Sequence, residues 1–373
     1  MVSTDVLVIG GGLHGSSAAL HLARRGARVT VIEKDYVGRH ASGVNAGGVR
    51  RLGRHPAEIP LSVASLELWH RIADLIDDDC GFEHHGQVKV AESEAELEIL
   101  RRRVEQVRAM GFSHEELVDR EELRRLIPAI AEHCTGAIVS RADGAANPYR
   151  TTMAFKRKAE SLGVRFEEGR RVTTLVRAGK QWRVETEPGG AWEAPVVVNC
   201  AGAWADRIAA QLGEPVPLEA WAPMLMISAR MPHFLEPVVG ATGRPLSFKQ
   251  FANGTVLIGG GHKGRAQRDQ NWTDLDFGGL AQSARTVWEL FPVMRSAQIV
   301  RCWAGIEGRM PDEIPVIGPS STSEGVFHSF AFAGHGFQLG PIVGSITAEL
   351  ATTGKTNVPI EPFRIDRFSR TAT

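Results

Sequence analysis

Asp5-Val6-Leu7-Val8-Ile9-Gly10-Gly11-Gly12-Leu13-His14-Gly15 opens the pattern that decides the fold, and Ala27-Arg28-Val29-Thr30-Val31-Ile32-Glu33 closes it. The run to Ile9 leaves no room for polar alternation, which predicts a strand buried on both faces. Leu13–Arg25 has small and apolar residues at helical spacing and ends in a basic turn before Gly26, the usual helix stop. Ala27–Glu33 reads as a second strand. Gly10, Gly12 and Gly15 stand at G-x-G-x-x-G spacing: Gly10 for the tight turn, Gly12 for the approach of a pyrophosphate, Gly15 for close helix–strand packing. The helix start at Leu13 and His14 offers free N–H groups to phosphates. Glu33, with Lys34 beside it, is placed to accept from both ribose hydroxyls and would repel a 2′-phosphate, which argues against an NADP-type ligand. Strand, glycines, helix, strand and acid in this order predict a bound dinucleotide. By association with such folds, the N-terminal position favours a tightly held FAD.

The chain has 373 residues, 43% of them apolar and 40 of them glycine. That is too long for one small core and predicts two domains of a soluble α/β enzyme. With 43 basic and 43 acidic side chains, nothing draws it to nucleic acid or an anionic membrane. There is no signal-like segment before the first strand and no run of about 20 apolar residues. Cys80, Cys134, Cys200 and Cys302 lack metal-ligand spacing and read as reduced thiols of a cytoplasmic protein.

Gly38–Arg51 is a glycine-rich loop carrying Ser42, Ala46, Gly47, Arg50 and Arg51. Loops this long are usually functional, and this one suits a flat ligand. Arg50 could reach ligand or substrate, or sit in a surface salt bridge. Helical spacing covers Pro60–Cys80, Glu94–Met110, Glu121–Leu126 and Thr151–Leu162, with strands at Gly86–Ala91 and Thr135–Ser140. Val164–Glu168, Arg171–Arg177 and Trp182–Thr186 read as a β-meander, and Val172 would meet an adenine edge through its backbone. Ala194–Ala201 is another doubly buried strand, ending in the turn Gly202-Ala203-Trp204. Ala222–Arg230, Leu246–Phe251 and Thr255–Gly259 predict antiparallel pairing, with Asn253-Gly254 as a hairpin turn. Thr273–Phe291 reads as a helix, and Ile299–Gly305, Ile314–Gly318 and Val326–Ala333 as strands. A second glycine-rich strand-to-helix turn, Gly334–Gly340, includes Gly336, Phe337 and Gln338 and leads to a helix at Ile342–Leu350.

Gly10–Gly15, the loop Ala41–Gly48, Asn199–Ala205, Pro311–Gly318 and Gly334–Phe337 occur together in an order that resembles the FAD-dependent D-amino-acid oxidase superfamily. That superfamily includes glycine oxidase, sarcosine oxidase and the β subunits of heteromeric amine dehydrogenases. The resemblance runs from residue 5 to about 350. The stretch Cys302-Trp303-Ala304-Gly305 before Pro311 is most similar to β subunits of opine oxidases and of D-hydroxyproline or proline dehydrogenases. The resemblance implies a Rossmann-like FAD-binding domain with a parallel sheet (1–80, 145–215 and 311–373) and an antiparallel-sheet substrate domain (81–144 and 216–310). It implies oxidation of an amino acid or secondary amine by hydride transfer to flavin, with partner subunits and an FMN at their interface. No cysteine stands where sarcosine oxidases tether FAD, so the cofactor is expected to be non-covalent.

Departures from the family pattern sharpen the expectation. Glycine oxidases carry a carboxylate-binding arginine where this chain has Glu307; Arg309 could substitute, and Glu307 could meet a cationic substrate or pair with Arg309. Sarcosine oxidases place an oxygen-activating lysine where Leu257 or Ile258 stands, which favours electron transfer to a partner. His262 and His335 flank the expected pocket. Two alternatives stay open: a 2-hydroxy-acid or glycerol-phosphate dehydrogenase, in which one of these histidines is the base, and a flavin-carrying protein without turnover.

Overall fold

The computed structural model describes residues 2–371. Its organising layer is a six-stranded sheet in the order Val316–Pro319, Val326–Phe330, Val196–Asn199, Val6–Ile9, Val29–Ile32 and Arg165–Glu167. All neighbours are parallel except the first pair. Alternate side chains of Val6–Ile9 face opposite layers. Val6 and Val8 join Leu20, Phe155 and Ala348 under the helices Leu13–Arg24, Pro148–Ser161 and Gly336–Thr353. Leu7 and Ile9 join Trp182, Val184 and Trp192 of a four-stranded meander sheet on the other side. Burial on both faces is thus the reason this strand carries no polar residue.

A larger, mostly antiparallel sheet of eleven strands lies beside it. Gln87–Ala91, Glu116–Asp119 and Gly136–Ser140 form one wing, and the strands from Glu219 to Arg309 form the other. The wings meet at one parallel seam, Val238–Ala241 against Gln87–Ala91. Phe248, Phe291, Leu290 and Met226 anchor the core beneath. The architecture is therefore mixed α/β, as the motif order predicts.

Three elements differ from the sequence expectation. The predicted Pro60–Cys80 helix is two, Ile59–Trp69 and Ile72–Ile76, broken at His70 and Arg71. The expected Thr273–Phe291 helix starts later, at Phe277, because Asp276 caps it by accepting from the Gly278 N–H (3.0 Å) and Trp272–Asp274 pairs as a strand. The last long helix begins at Gly336 rather than Ile342 and carries Pro341 in its second turn. Among the described residues, no helix is long and apolar enough to cross a membrane. Burial raises all four cysteine thiols above their ordinary value, and none is in a disulfide.

Candidate active site

A cleft of about 970 Å³ runs across the carboxyl ends of four parallel strands, touching Ile9, Ile32, Cys200 and Ser329. That is where ligands sit in open α/β sheets, and the volume is at the upper end for cofactor sites, roughly 300–1,000 Å³. At its nucleotide end Gly10 adopts φ +103°, and a Cβ there would lie 3.0 Å from Ala201 Cα and closer still to the Cys200 carbonyl. A Cβ on Gly15 would collide with the Gly10 carbonyl. The turn can therefore be built only from glycine, and its cradle fits a pyrophosphate at the following helix start. Glu33 accepts from Gly11 N (2.7 Å) and Asp35 N (2.9 Å), which fixes it under the turn. Burial raises its carboxyl pKa, and these N–H groups and Lys34 pull it back part of the way. Ser42 of the flavin loop accepts from Leu13 N (2.9 Å), so the loop is tied to the helix start.

A hairpin of the larger sheet closes this end. Asn271, at φ +63°, donates from Nδ2 to both Asp35 oxygens (3.0 Å each), and its Oδ1 receives Lys34 Nζ and lies 2.8 Å from His40 Nε2. Arg268 donates to the Ala203 carbonyl (2.7 Å) and to Asp206, and Arg207 pairs with Asp269. Lys34 also sits 3.9 Å from the centre of the Trp204 ring.

The other end is electrically uneven. Arg50, Arg54 and Lys89 line it, and none of the three makes an ion pair among the described residues. Arg54 is 2% exposed, and its Nη1 has no partner. Burial lowers all three, Arg54 to about 10. The arginine-bearing loop is pinned from below. Buried Asp143 accepts from the N–H groups of Arg51 and Leu52, and buried Glu115 accepts from Gly53 N and Arg103. Three cations without carboxylate partners, converging on one pocket wall, call for an anionic ligand group.

Glu307 faces the same cleft. One oxygen accepts the Gly334 N–H, the other has no partner among the described residues, and no cation pairs with it. It is half-exposed to the cleft yet deep in the molecule, and burial pushes its carboxyl up to about 7. His335, at the start of the last long helix, holds Glu58 at 2.8 Å. Burial lowers His335 despite that carboxylate.

Of the residues singled out in the sequence, Arg50, Glu307 and His335 line the cleft, together with Gly10, Gly12, Leu13, His14, Glu33, Lys34, Ser42, Ala46, Gly47, Val172, Gly202, Trp204, Gly336 and Phe337. Gly15 and Gln338 do not. Gln338 is buried behind the helix start, accepting from Arg54 and donating to the Ser62 carbonyl. His262 and Arg309 also lie off the cleft wall. A Cβ on Gly279 would lie 3.3 Å from the His262 Cβ, which puts His262 on the helix side of the sheet. Arg309 pairs with Glu219 (3.1 Å) and Glu313 (2.5 Å) and stacks on Trp221. It is not free to clamp a carboxylate.

Arg54, Glu58 and Lys89 were not singled out. Their one sequence signal is a pair of charges, Arg54 and Glu58, leading into an apolar helix. Leu257 and Ile258 are core residues, as their apolarity suggests, but Lys249 lies opposite Leu257 in register. Its ammonium reaches the flavin loop, 3.2 Å from where a Gly47 Cβ would be, and burial lowers it to about 8.

Residues 5–350 match the FAD dependent oxidoreductase (DAO) family. Among curated relatives, glycine oxidase of Geobacillus kaustophilus is 27% identical, covering 97% of each chain. The smaller-lettered partner chain aside, the opine oxidase component of Rhizobium meliloti that carries the B designation is 26% identical, covering 99% of this chain and 98% of its own. Among solved structures, L-proline dehydrogenase from P. horikoshii superposes with a TM-score of 0.91 at 27% identity, covering 99% of this chain and 98% of that one.

Proposed function

The chain belongs to the FAD dependent oxidoreductase (DAO) family, and on that premise we propose that it oxidises the C–N bond of an amino acid or secondary amine. Gly10, Gly12, Leu13, Glu33 and Ser42 would hold the nucleotide, and the flavin loop with Gly336 and Phe337 would hold the ring. Bound FAD supplies an acceptor for the hydride on the carbon beside the substrate nitrogen. The protein's part is to fix the substrate and exclude water.

The observation that carries this proposal is the cation wall: Arg50, Arg54 and Lys89, buried and without carboxylate partners, facing the cleft. A substrate carboxylate satisfies them. Arginine's planar fork suits that contact, and Lys89 adds a point charge. The wall takes over the role that the missing arginine at position 307 plays in glycine oxidases. The alcohol alternative finds less support. It needs a free base, but His262 is off the cleft and His335 is engaged by Glu58.

Two relatives are named as components of heteromeric enzymes, one of opine oxidase and one, the beta component, of sarcosine oxidase. They favour a catalytic β-type role in a heteromer, working in the cytoplasm, with an FMN at the partner interface. Because Lys249 stands by the flavin loop, the apolarity of Leu257 and Ile258 says nothing about oxygen reactivity. The heteromer reading rests on the relatives.

Reconstitution tests both parts. The purified chain should be yellow and bleach anaerobically with a secondary amino acid such as sarcosine, proline or an opine. Lys89→Met should raise KM for carboxylate-bearing amines by about 10-fold or more with kcat little changed. Flavin left oxidised by a broad amine panel refutes the substrate class. Oxygen turnover by the isolated chain as fast as with an artificial acceptor refutes the partner requirement.

A further inference from the structure

Among the described residues, Glu307 is the one carboxylate in the cleft that faces the ligand space without a cation. Its strand pairs with the strand Glu219–Ser228, with Glu307 opposite Trp221. Its neighbour Gly308 accepts from Ala333 N (3.3 Å). These contacts and the Gly334 N–H fix the carboxyl plane and leave one oxygen open to the cleft.

The charged groups around it are all committed elsewhere. On its own strand, Arg309 pairs with Glu219 and Glu313. Across the sheet, Glu219 is taken by Arg309, and Lys263 lies over the Trp221 ring, 2.9 Å from its centre. On the turn ahead of the last long helix, His335 is held by Glu58. On the first helix, His14 stacks on Phe332 at 3.6 Å and is kept neutral by burial. Beyond the Gly202 turn, Arg268 is taken by Asp206. A lone carboxylate so placed has one use for an amine ligand.

Resting on the amine-oxidation proposal above, we propose that Glu307 binds the reacting nitrogen of the substrate in its ammonium form and takes its proton. The N–H bond breaks, the free carboxylate oxygen gains the proton, and the nitrogen recovers the lone pair from which the hydride-losing carbon is activated. The charge pattern of the cleft agrees with this. The cation wall takes the carboxylate and Glu307 takes the nitrogen, so a zwitterionic amino acid enters with both charges answered. The raised carboxyl of Glu307 makes it a base matched to neutral pH.

Anaerobic flavin bleaching at saturating substrate, followed across about pH 5.5–10, tests the assignment in holoenzyme loaded with FAD. The probe is whichever of sarcosine, proline or iminodiacetate reduces the wild type. None of these carries a second cation. The wild-type rate should rise through a limb near pH 7. Glu307→Gln should slow bleaching near pH 7.5 by about 100-fold or more, lose that limb, and recover at high pH, where free amine is supplied by solution. Glu307→Asp should keep the limb. A second readout is calorimetric. At low pH, binding the same probe to oxidised wild type should release a proton, and the Gln variant should release none. Two results would overturn the role: a Gln variant that keeps both limb and rate within about threefold, or one whose loss is confined to KM for substrates bearing a second cation. A wild type that no amine bleaches would instead overturn amine oxidation itself, and the base with it.

Discussion

His335 Nδ1 lies 2.8 Å from a Glu58 carboxylate oxygen, two residues 277 positions apart that meet behind the cleft wall. Glu58 is fully buried, and Arg54 and Arg50 share its field. Glu58→Ala leaves two cations and an imidazole facing an apolar gap. The expected loss is about 3–5 kcal/mol, the usual cost of orphaning a buried charge, against a smaller one for Glu58→Gln. Urea denaturation of the two variants checks this, and equal midpoints would contradict it.

Acid should unfold the protein early. Burial holds His14 at about 3 and His21 and His40 at about 4, all below the ordinary 6.5. Below pH 6.5 the unfolded chain binds protons that the folded chain refuses. Stability is therefore full above 6.5 and falls as pH drops toward 4, by up to about 1.4 kcal/mol per pH unit for each histidine. His21→Leu should flatten the fall. Tm measured from pH 8 to 4.5 decides, and a flat profile for the wild type would contradict it.

The hairpin clasp should govern cofactor retention. Asn271→Gly removes the partner shared by Lys34, Asp35 and His40. Glycine accepts the left-handed backbone at this turn, so the hairpin itself is spared. The FAD dissociation rate, followed by recovery of flavin fluorescence, should rise about 10-fold or more, in line with hydrogen bonds to charged groups of about 1.5–3 kcal/mol. An unchanged rate would show that the hairpin does not close over the nucleotide.

Glu33→Gln should weaken FAD binding by a similar factor, since the carboxylate both holds the glycine turn through Gly11 N and faces the cleft. Apoprotein titration with FAD reads this directly. A dissociation constant equal to the wild type's would show that Glu33 is only a brace for the turn.

The nucleotide end was legible in the sequence because its parts are local. Gly10, Gly15 and Glu33 act through spacing within one strand–helix–strand unit, and the sheet they imply follows from apolar runs. The substrate end was not legible. Arg54, Glu58 and Lys89 gain their meaning from partners far along the chain, and Arg54 looks like any exposed arginine until Asp143 and Glu115 bury its loop. Arg309 and His262 misled for the same reason. Position along a strand does not tell which face a side chain takes. Pro341 suggested a later helix start, but the helix absorbs it with one lost N–H bond near its beginning.

The single parallel seam between Val238–Ala241 and Gln87–Ala91 joins stretches of chain that must wait for everything between them to be in place. Lys89 sits on that seam. Contacts of such long sequence separation pay their closure entropy late, whereas the turn at Gly10 closes locally. A nascent or partly refolded chain should therefore capture nucleotide before it can recognise an amine, turning yellow while still blind to its substrate.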